Sequence, residues 1–149
     1  MKPIRLEIDG INSYASKQVI DFDRLTSRGI FGIFGKTGSG KSTILDAMTL
    51  ALYGNIARGS KEFINSNRDK AIVSYTFELG LGQDRVRYMV SRRFKKSERS
   101  GKTSATSDYV RLMSMGQDGN YEVLADKVGE VNKQIKAILG LEEGDFLKS

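Results

Sequence analysis

Residues 35–42 read Gly-Lys-Thr-Gly-Ser-Gly-Lys-Ser and satisfy G-x-x-x-x-G-K-[ST] at every fixed position. This is the spacing of a phosphate-cradling P-loop, the Walker A sequence. A nucleoside triphosphate carries several negative charges that must be held without a covalent bond. Gly35, Gly38 and Gly40 let the backbone approach closely because no Cβ intervenes, and the amide N–H groups then form an anion nest. Lys41 is suited to reach the β- and γ-phosphates, and the Ser42 hydroxyl to bind Mg²⁺. Lys36, Thr37, Ser39 and Thr43 complete the candidate nucleotide-binding set. The motif itself does not choose the base; the stretch around Phe63 and Asn65, with the N-terminal strands, is where a weak base contact is expected.

A loop of this kind works only between a strand and a helix, and the flanks supply both. Ile30, Phe31, Ile33 and Phe34 form the apolar run of a buried strand. Ile44, Leu45, Met48, Ala51 and Leu52 recur at three- and four-residue steps, which puts them on one helical face. Gly54 follows the last apolar turn, where a helix favours a left-handed residue. The helix N-terminus then adds its positive dipole end to the phosphate site.

Composition narrows the chemistry further. A chain of 149 residues with 39% hydrophobic and 28% charged content is long enough for one globular core. Cysteine and histidine are both absent, which removes disulfides, Cys/His zinc sites, thiol nucleophiles and histidine bases. Any metal must be held by oxygen, as Mg²⁺ on phosphate is. No apolar run is long enough to span a bilayer and no signal-peptide pattern opens the chain, so a cytoplasmic protein with no membrane partner is expected.

Along the chain, Ile4, Leu6 and Ile8 alternate with charged residues as a half-buried strand, and residues 17–22 read as its hairpin partner. Residues 55–70 read as a long polar loop. Val73, Tyr75, Phe77 and Leu79 mark one face of a strand, and Val86, Tyr88 and Val90 repeat the pattern on the next. Residues 95–107 are expected to form a flexible loop. Val110 and Leu112 mark a further strand, Asp118-Gly119 a turn, and residues 121–124 a short last strand. Asp126 is placed as the N-cap of a helix with Val128, Val131, Ile135, Ile138 and Leu139 on its apolar face and Gly140 at its end.

Two guanine-nucleotide patterns are decoys. Residues 126–129 match D-x-x-G, and Asn132-Lys133 begins like N-K-x-D, but Ile135 stands where the base-reading carboxylate belongs. Both fall on one predicted helix and cannot end separate strands. What is missing weighs more. Residues 1–149 contain no apolar strand ending in Asp-Glu, hence no Walker B, and no L-S-G-G-x signature. A P-loop without these groups binds nucleotide but lacks what stabilises a transferring phosphoryl.

The net charge of +6 is unevenly placed. Arg85, Arg87, Arg92, Arg93, Lys95, Lys96, Arg99 and Lys102 face Glu98 alone within that interval, so this segment exceeds the net charge of the whole chain. A localised basic segment points to a polyanion. Arg92, Arg93, Lys95, Lys96 and Lys102 are the candidate DNA contacts; a solvated turn or a contact to another part of a larger protein is the competing reading.

These features together resemble the N-terminal ATPase segment of the bacterial SbcC family, within the wider SMC/ABC-type ATPases. The residues that carry the likeness are Ile11-Asn12-Ser13, Ile20-Asp21-Phe22, residues 31–42, Leu45-Asp46-Ala47, residues 50–54, residues 124–128, and Gly140-Leu141 with Phe146. The resemblance implies an α/β fold: a P-loop NTPase of ABC/SMC type, here its N-terminal lobe with an antiparallel β meander beside the P-loop strand and helix. It implies that residues 1–149 are half of a split ATPase head. A Q-loop, a coiled coil, and a C-terminal segment with signature and Walker B would complete it. It further implies ATP and Mg²⁺ as cofactors. The implied partners are the C-terminal half of the same protein, a second head in a homodimer, a nuclease of the SbcD type, and DNA. On that reading the whole protein is an ATPase that controls DNA-end processing in double-strand-break repair. A small-molecule P-loop kinase is the alternative, although an Arg-rich lid is expected after its P-loop helix, where an antiparallel meander is read here.

Overall fold

The computed structural model describes residues 1–25, 39–55 and 63–140. The expected P-loop strand at residues 30–34, and Leu141 with Phe146, lie outside the described residues. Six described strands make one antiparallel sheet: β1 (Lys2–Asp9), β2 (Gln18–Asp21), β3 (Lys70–Leu79), β4 (Val86–Arg99), β5 (Lys102–Met115) and β6 (Tyr121–Ala125). Their spatial order is β2-β1-β3-β4-β5-β6, a meander from β3 onward with the N-terminal hairpin added at one side. Three described α-helices join it: the single turn α1 (Phe22–Leu25), α2 (Ser39–Tyr53) and α3 (Val128–Leu139).

Strand alternation sets which face is buried. Ile20, Leu6, Tyr75, Val90, Leu112 and Ala125 are paired in register from one edge of the sheet to the other, and all six are buried. This apolar row is the floor on which α2 and α3 pack. The opposite face carries Glu7, Ser74, Ser91 and Arg111 in one row. There the Ser74 and Ser91 hydroxyls lie 2.8 Å apart, in hydrogen-bonding contact. Burial lifts the ionisation of the Tyr75 phenol far above its ordinary range.

Helix α2 is enclosed on more sides than the sequence pattern predicts. Ile44, Met48, Ala51 and Leu52 are buried as expected, but so are Ala47, Thr49 and Leu50, whereas Leu45 is 42% exposed. Thr49 satisfies its hydroxyl by donating to the Leu45 carbonyl one turn back. Gly54 ends the helix at φ +81°, with its N–H on the Leu50 carbonyl.

Two local expectations are corrected. Residues 95–107 are not a loop: β4 and β5 continue to Arg99 and Lys102 and meet at Ser100-Gly101. Both turn residues have positive φ, 53° and 77°, the two-residue geometry that matches strand twist. The segment has a loop-like composition because every side chain in it but Ala105, which packs against the core, is polar. Asp126 is not the N-cap of α3; Lys127 holds that position and no side chain caps it. The helix does end on left-handed Gly140, whose N–H reaches the Lys136 carbonyl. Within residues 55–70, the described part before Lys70 is loop as expected, and it is tied to the N-terminal turn. The Asn12 N–H reaches the Phe63 carbonyl, the Asn65 N–H reaches the Gly10 carbonyl, and Ile64 bridges Ile11. Arg68 adds a bond to Asp9 at 2.7 Å.

Gly10 is where this junction is tightest. Its φ is +78°, and a Cβ there would sit 2.6 Å from the Lys70 carbonyl oxygen. Gly119 has a similar φ of +81° but open space around it. Gly119→Ala should therefore lower stability by about 1 kcal/mol, the left-handed penalty alone. Gly10→Ala should cost roughly 3 kcal/mol, because backbone must also move. Urea unfolding of the two variants checks this, and equal losses would remove the close-approach argument.

Candidate nucleotide-binding helix and basic hairpin

Of the predicted nucleotide-binding residues, Gly35, Lys36, Thr37 and Gly38 lie outside the described residues, as do the side chains of Ser39, Lys41 and Ser42. What the structure gives is their element. Ser39, Gly40, Lys41 and Ser42 form the opening turn of α2, and Thr43 follows, buried. That first turn contains no acidic side chain. A helix N-terminus carries the positive dipole end, and the described first turn places no carboxylate against it.

The other end of α2 holds a residue whose place differs from the one expected. Arg92 is a DNA-contact candidate by sequence, but it points inward and is 1% exposed. Its Nε donates to the Ala51 carbonyl at 2.7 Å, and its Nη2 to the Leu52 carbonyl at 3.0 Å. Nη2 also donates to Asn132 Oδ1 on α3 at 2.8 Å. The guanidinium thus covers the last carbonyls of α2, where positive charge complements the dipole. Burial lowers its pKa to about 10, so it remains a cation at neutral pH. The signal is present in the sequence: the alternation of Val86, Tyr88 and Val90 runs on through Arg92 to Phe94, so Arg92 falls on the core face.

The remaining cations of the hairpin are partly neutralised. Arg93 Nε bonds Asp108 at 3.0 Å and Lys95 Nζ lies 3.5 Å from the same carboxylate. The Arg93 hydrogen bond is the main reason the Asp108 carboxyl stays below its usual range. Asp108 sits at the β4–β5 register shift between Arg93 and Phe94, the irregularity that turns its side chain toward both cations. Arg85 and Arg87 both lean on Glu78. Lys96 approaches the Asn65 carbonyl at 3.5 Å, and Lys102 is exposed beside the turn. Tyr109 and Arg111 also belong to this surface, although charge counting over residues 85–102 does not reach them. They alternate with buried Val110 and Leu112, which places them on the outer face. There the Tyr109 ring is flanked by Arg93 at 5.9 Å and Arg111 at 5.4 Å.

Two further expectations meet the structure here. Phe63 is 3% exposed and packs edge-on against Phe94 with ring centroids 5.0 Å apart, so its ring belongs to the core and is not free to contact a base. The Asn65 side chain is likewise committed, to the Asn12 carbonyl and the Asn67 N–H. The guanine-nucleotide patterns remain decoys: Asn132 and Ile135 share helix α3, with Ile135 buried. No described helix is long and apolar enough to cross a membrane.

An antiparallel meander packed on a helix whose first turn holds the Walker A lysine and serine is a mixed α/β fold. The fold agrees with that of a solved structure from work on ATP-driven dimerization and DNA stimulated activation of SMC ATPases. It superposes with a TM-score of 0.56 at 23% identity, over 95% of this chain and 81% of that one. A family model described as an AAA domain matches residues 5–148, and the chain belongs to that family. Among curated proteins, it is 43% identical over 149 residues to the SbcC component of nuclease SbcCD from Clostridium acetobutylicum. It is 42% identical over 152 aligned residues to the protein of the same description in Bacillus subtilis. All of this chain is covered, but only 12% and 13% of those relatives. The resemblance carried by the motifs is thus met by relatives along the whole chain.

Proposed function

We propose that this chain is the Walker A half of a split ATPase head whose complete protein couples ATP to DNA-end processing by a partner nuclease. The observation that carries the reading is the complete P-loop motif in the sequence, whose last four residues open α2, in a chain similar over its full length to SbcC components of nuclease SbcCD. On this reading Gly35, Lys36, Thr37, Gly38, Ser39 and Gly40 wrap the phosphates with backbone N–H groups. Lys41 neutralises the β- and γ-phosphates, Thr43 adds to the nucleotide contacts, and the Ser42 hydroxyl helps hold Mg²⁺. Bound Mg²⁺ would supply charge neutralisation at the phosphate oxygens. The carboxylates that support the metal and water would come from a C-terminal segment of the same protein, and the signature motif from a second copy. DNA would meet the hairpin through Arg93, Lys95 and Lys102 on its outer face and Lys96 on the other face, without base readout. Arg92 leaves this set because it is buried.

The test is a titration of Mg-ATP into the folded chain and its Lys41→Ala variant. Losing a charged contact to phosphate should weaken binding by about two orders of magnitude. Equal affinities in two folded proteins would end the assignment.

A further inference from the structure

A buried guanidinium is an unusual way to fill a core position. Arg92 stands in register between Val73 and Val110, where an aliphatic side chain would pack without desolvating a charge. Its hydrogen-bond acceptors are the neutral oxygens of Ala51, Leu52 and Asn132. Its Nη1 has no partner among the described residues and faces Gly54 so closely that a Cβ there would lie 3.1 Å from it. Core packing alone does not require this arrangement. It does fix three elements with one planar group: strand β4, the carboxyl end of α2, and helix α3.

The neighbours along β4 and α2 give that linkage a direction. Arg93, one residue on, points to the opposite face and forms the basic hairpin's ion pair with Asp108. The two Cα atoms are about 3.8 Å apart, so the strand cannot shift at one without shifting the other. At the far end, α2 spans 15 residues and opens with the P-loop serine, glycine and lysine. A helix of that length is a rod of about 22 Å that transmits an axial or tilting displacement.

We propose that Arg92 is a positioning residue linking the hairpin's outer face to the P-loop helix, so that a polyanion bound outside alters nucleotide turnover at the other end of α2. The inference rests on the reading of the hairpin as a DNA surface. It assigns Arg92 no contact with nucleotide or DNA. Asn132 is the second half of the device, because it holds the same guanidinium nitrogen from α3.

The test uses the full-length protein that carries this chain, with Arg92→Lys, Arg92→Met and Asn132→Ala. Far-UV circular dichroism and thermal unfolding establish that each variant is folded. ATPase rate is then measured with and without duplex DNA, and DNA affinity separately. The expected result is a fall in the DNA-stimulated to basal ratio of at least about fivefold in Arg92→Met, the lower range of measured couplings. DNA affinity should stay within about twofold of the parent, since the outer-face cations are intact. Arg92→Lys, which retains the charge but not the fork, should fall between. Asn132→Ala should show a smaller drop and decides the matter if the Arg92 variants do not fold. An unchanged ratio in folded variants overturns the coupling and leaves the DNA surface standing. A parent protein that neither binds DNA nor responds to it overturns the DNA surface, and the coupling with it.

Discussion

Purified as residues 1–149, the chain should bind Mg-ATP and release no phosphate above background, while the full-length protein turns ATP over at least about a thousandfold faster. The P-loop makes ground-state contacts with the phosphates, and contacts equal in ground and transition state lower no barrier. In-line attack also needs an oriented water, a carboxylate-supported Mg²⁺ and charge stabilisation on the equatorial oxygens. Residues 1–149 contain neither a Walker B pair nor a signature motif. Malachite-green or coupled-enzyme assays on the chain, on the chain mixed with a C-terminal segment, and on the full-length protein read the three cases. Turnover by the chain alone that disappears in Lys41→Ala would sink the split-site reading and favour the kinase alternative.

The site is legible in the sequence where chemistry restricts residue type and spacing together. Gly35, Gly38, Gly40, Lys41 and Ser42 announce a phosphate site because few other combinations let backbone amides surround an anion. The sheet is legible where one face is buried: Val73, Tyr75 and Phe77 alternate cleanly, and the structure buries all three. Legibility fails where side chains sit outside a simple inside–outside pattern. The hairpin tip is polar on both faces, so period two carries no hydrophobic signal between Lys95 and Ser107. The N-cap of α3 fails for a different reason. Asp126 is a good capping type, but the chain enters the helix one residue later, with Lys127 in an extended conformation.

Arg92 shows a different limit: alternation through Val90 and Phe94 puts it on the core face, while its charge argues for the surface. Charge counting treats every arginine as a surface cation, since an arginine is rarely buried without a charged partner. Here burial is made tolerable by carbonyls at a helix end, which no sequence pattern in β4 discloses. Those carbonyls belong to Ala51 and Leu52, some 40 residues earlier in the chain. The consequence for the electrostatic reading is substantial. Arg92 faces inward, Arg85 and Arg87 are shared with Glu78, and Arg93 and Lys95 are shared with Asp108. The hairpin presents less free positive charge than its composition states.

That sharing makes Asp108 the place where the DNA reading is most exposed to experiment. Asp108→Asn removes one negative charge and releases Arg93 and Lys95 from a common partner. In water, a unit charge 4 Å away contributes about 1 kcal/mol, and less as salt rises. In the full-length protein, duplex DNA affinity at low salt should therefore rise roughly five- to tenfold. The slope of log K against log salt should steepen by about 1 for each additional phosphate neutralised. Mild acid should not reproduce the effect in the parent protein. The Asp108 carboxyl is held below its usual range, first by the Arg93 hydrogen bond. A group with a lowered folded pKa contributes stability above the unfolded value, near about 4, and loses it as pH falls through the folded one. Between neutrality and about pH 5 the ion pair therefore persists and its share of DNA affinity should stay flat. The counterpart is the double variant Arg93→Gln, Lys95→Gln, which should flatten the salt slope by about 2. If both sets of variants bind DNA with the parent's affinity and slope, the polyanion meets some other face of the protein.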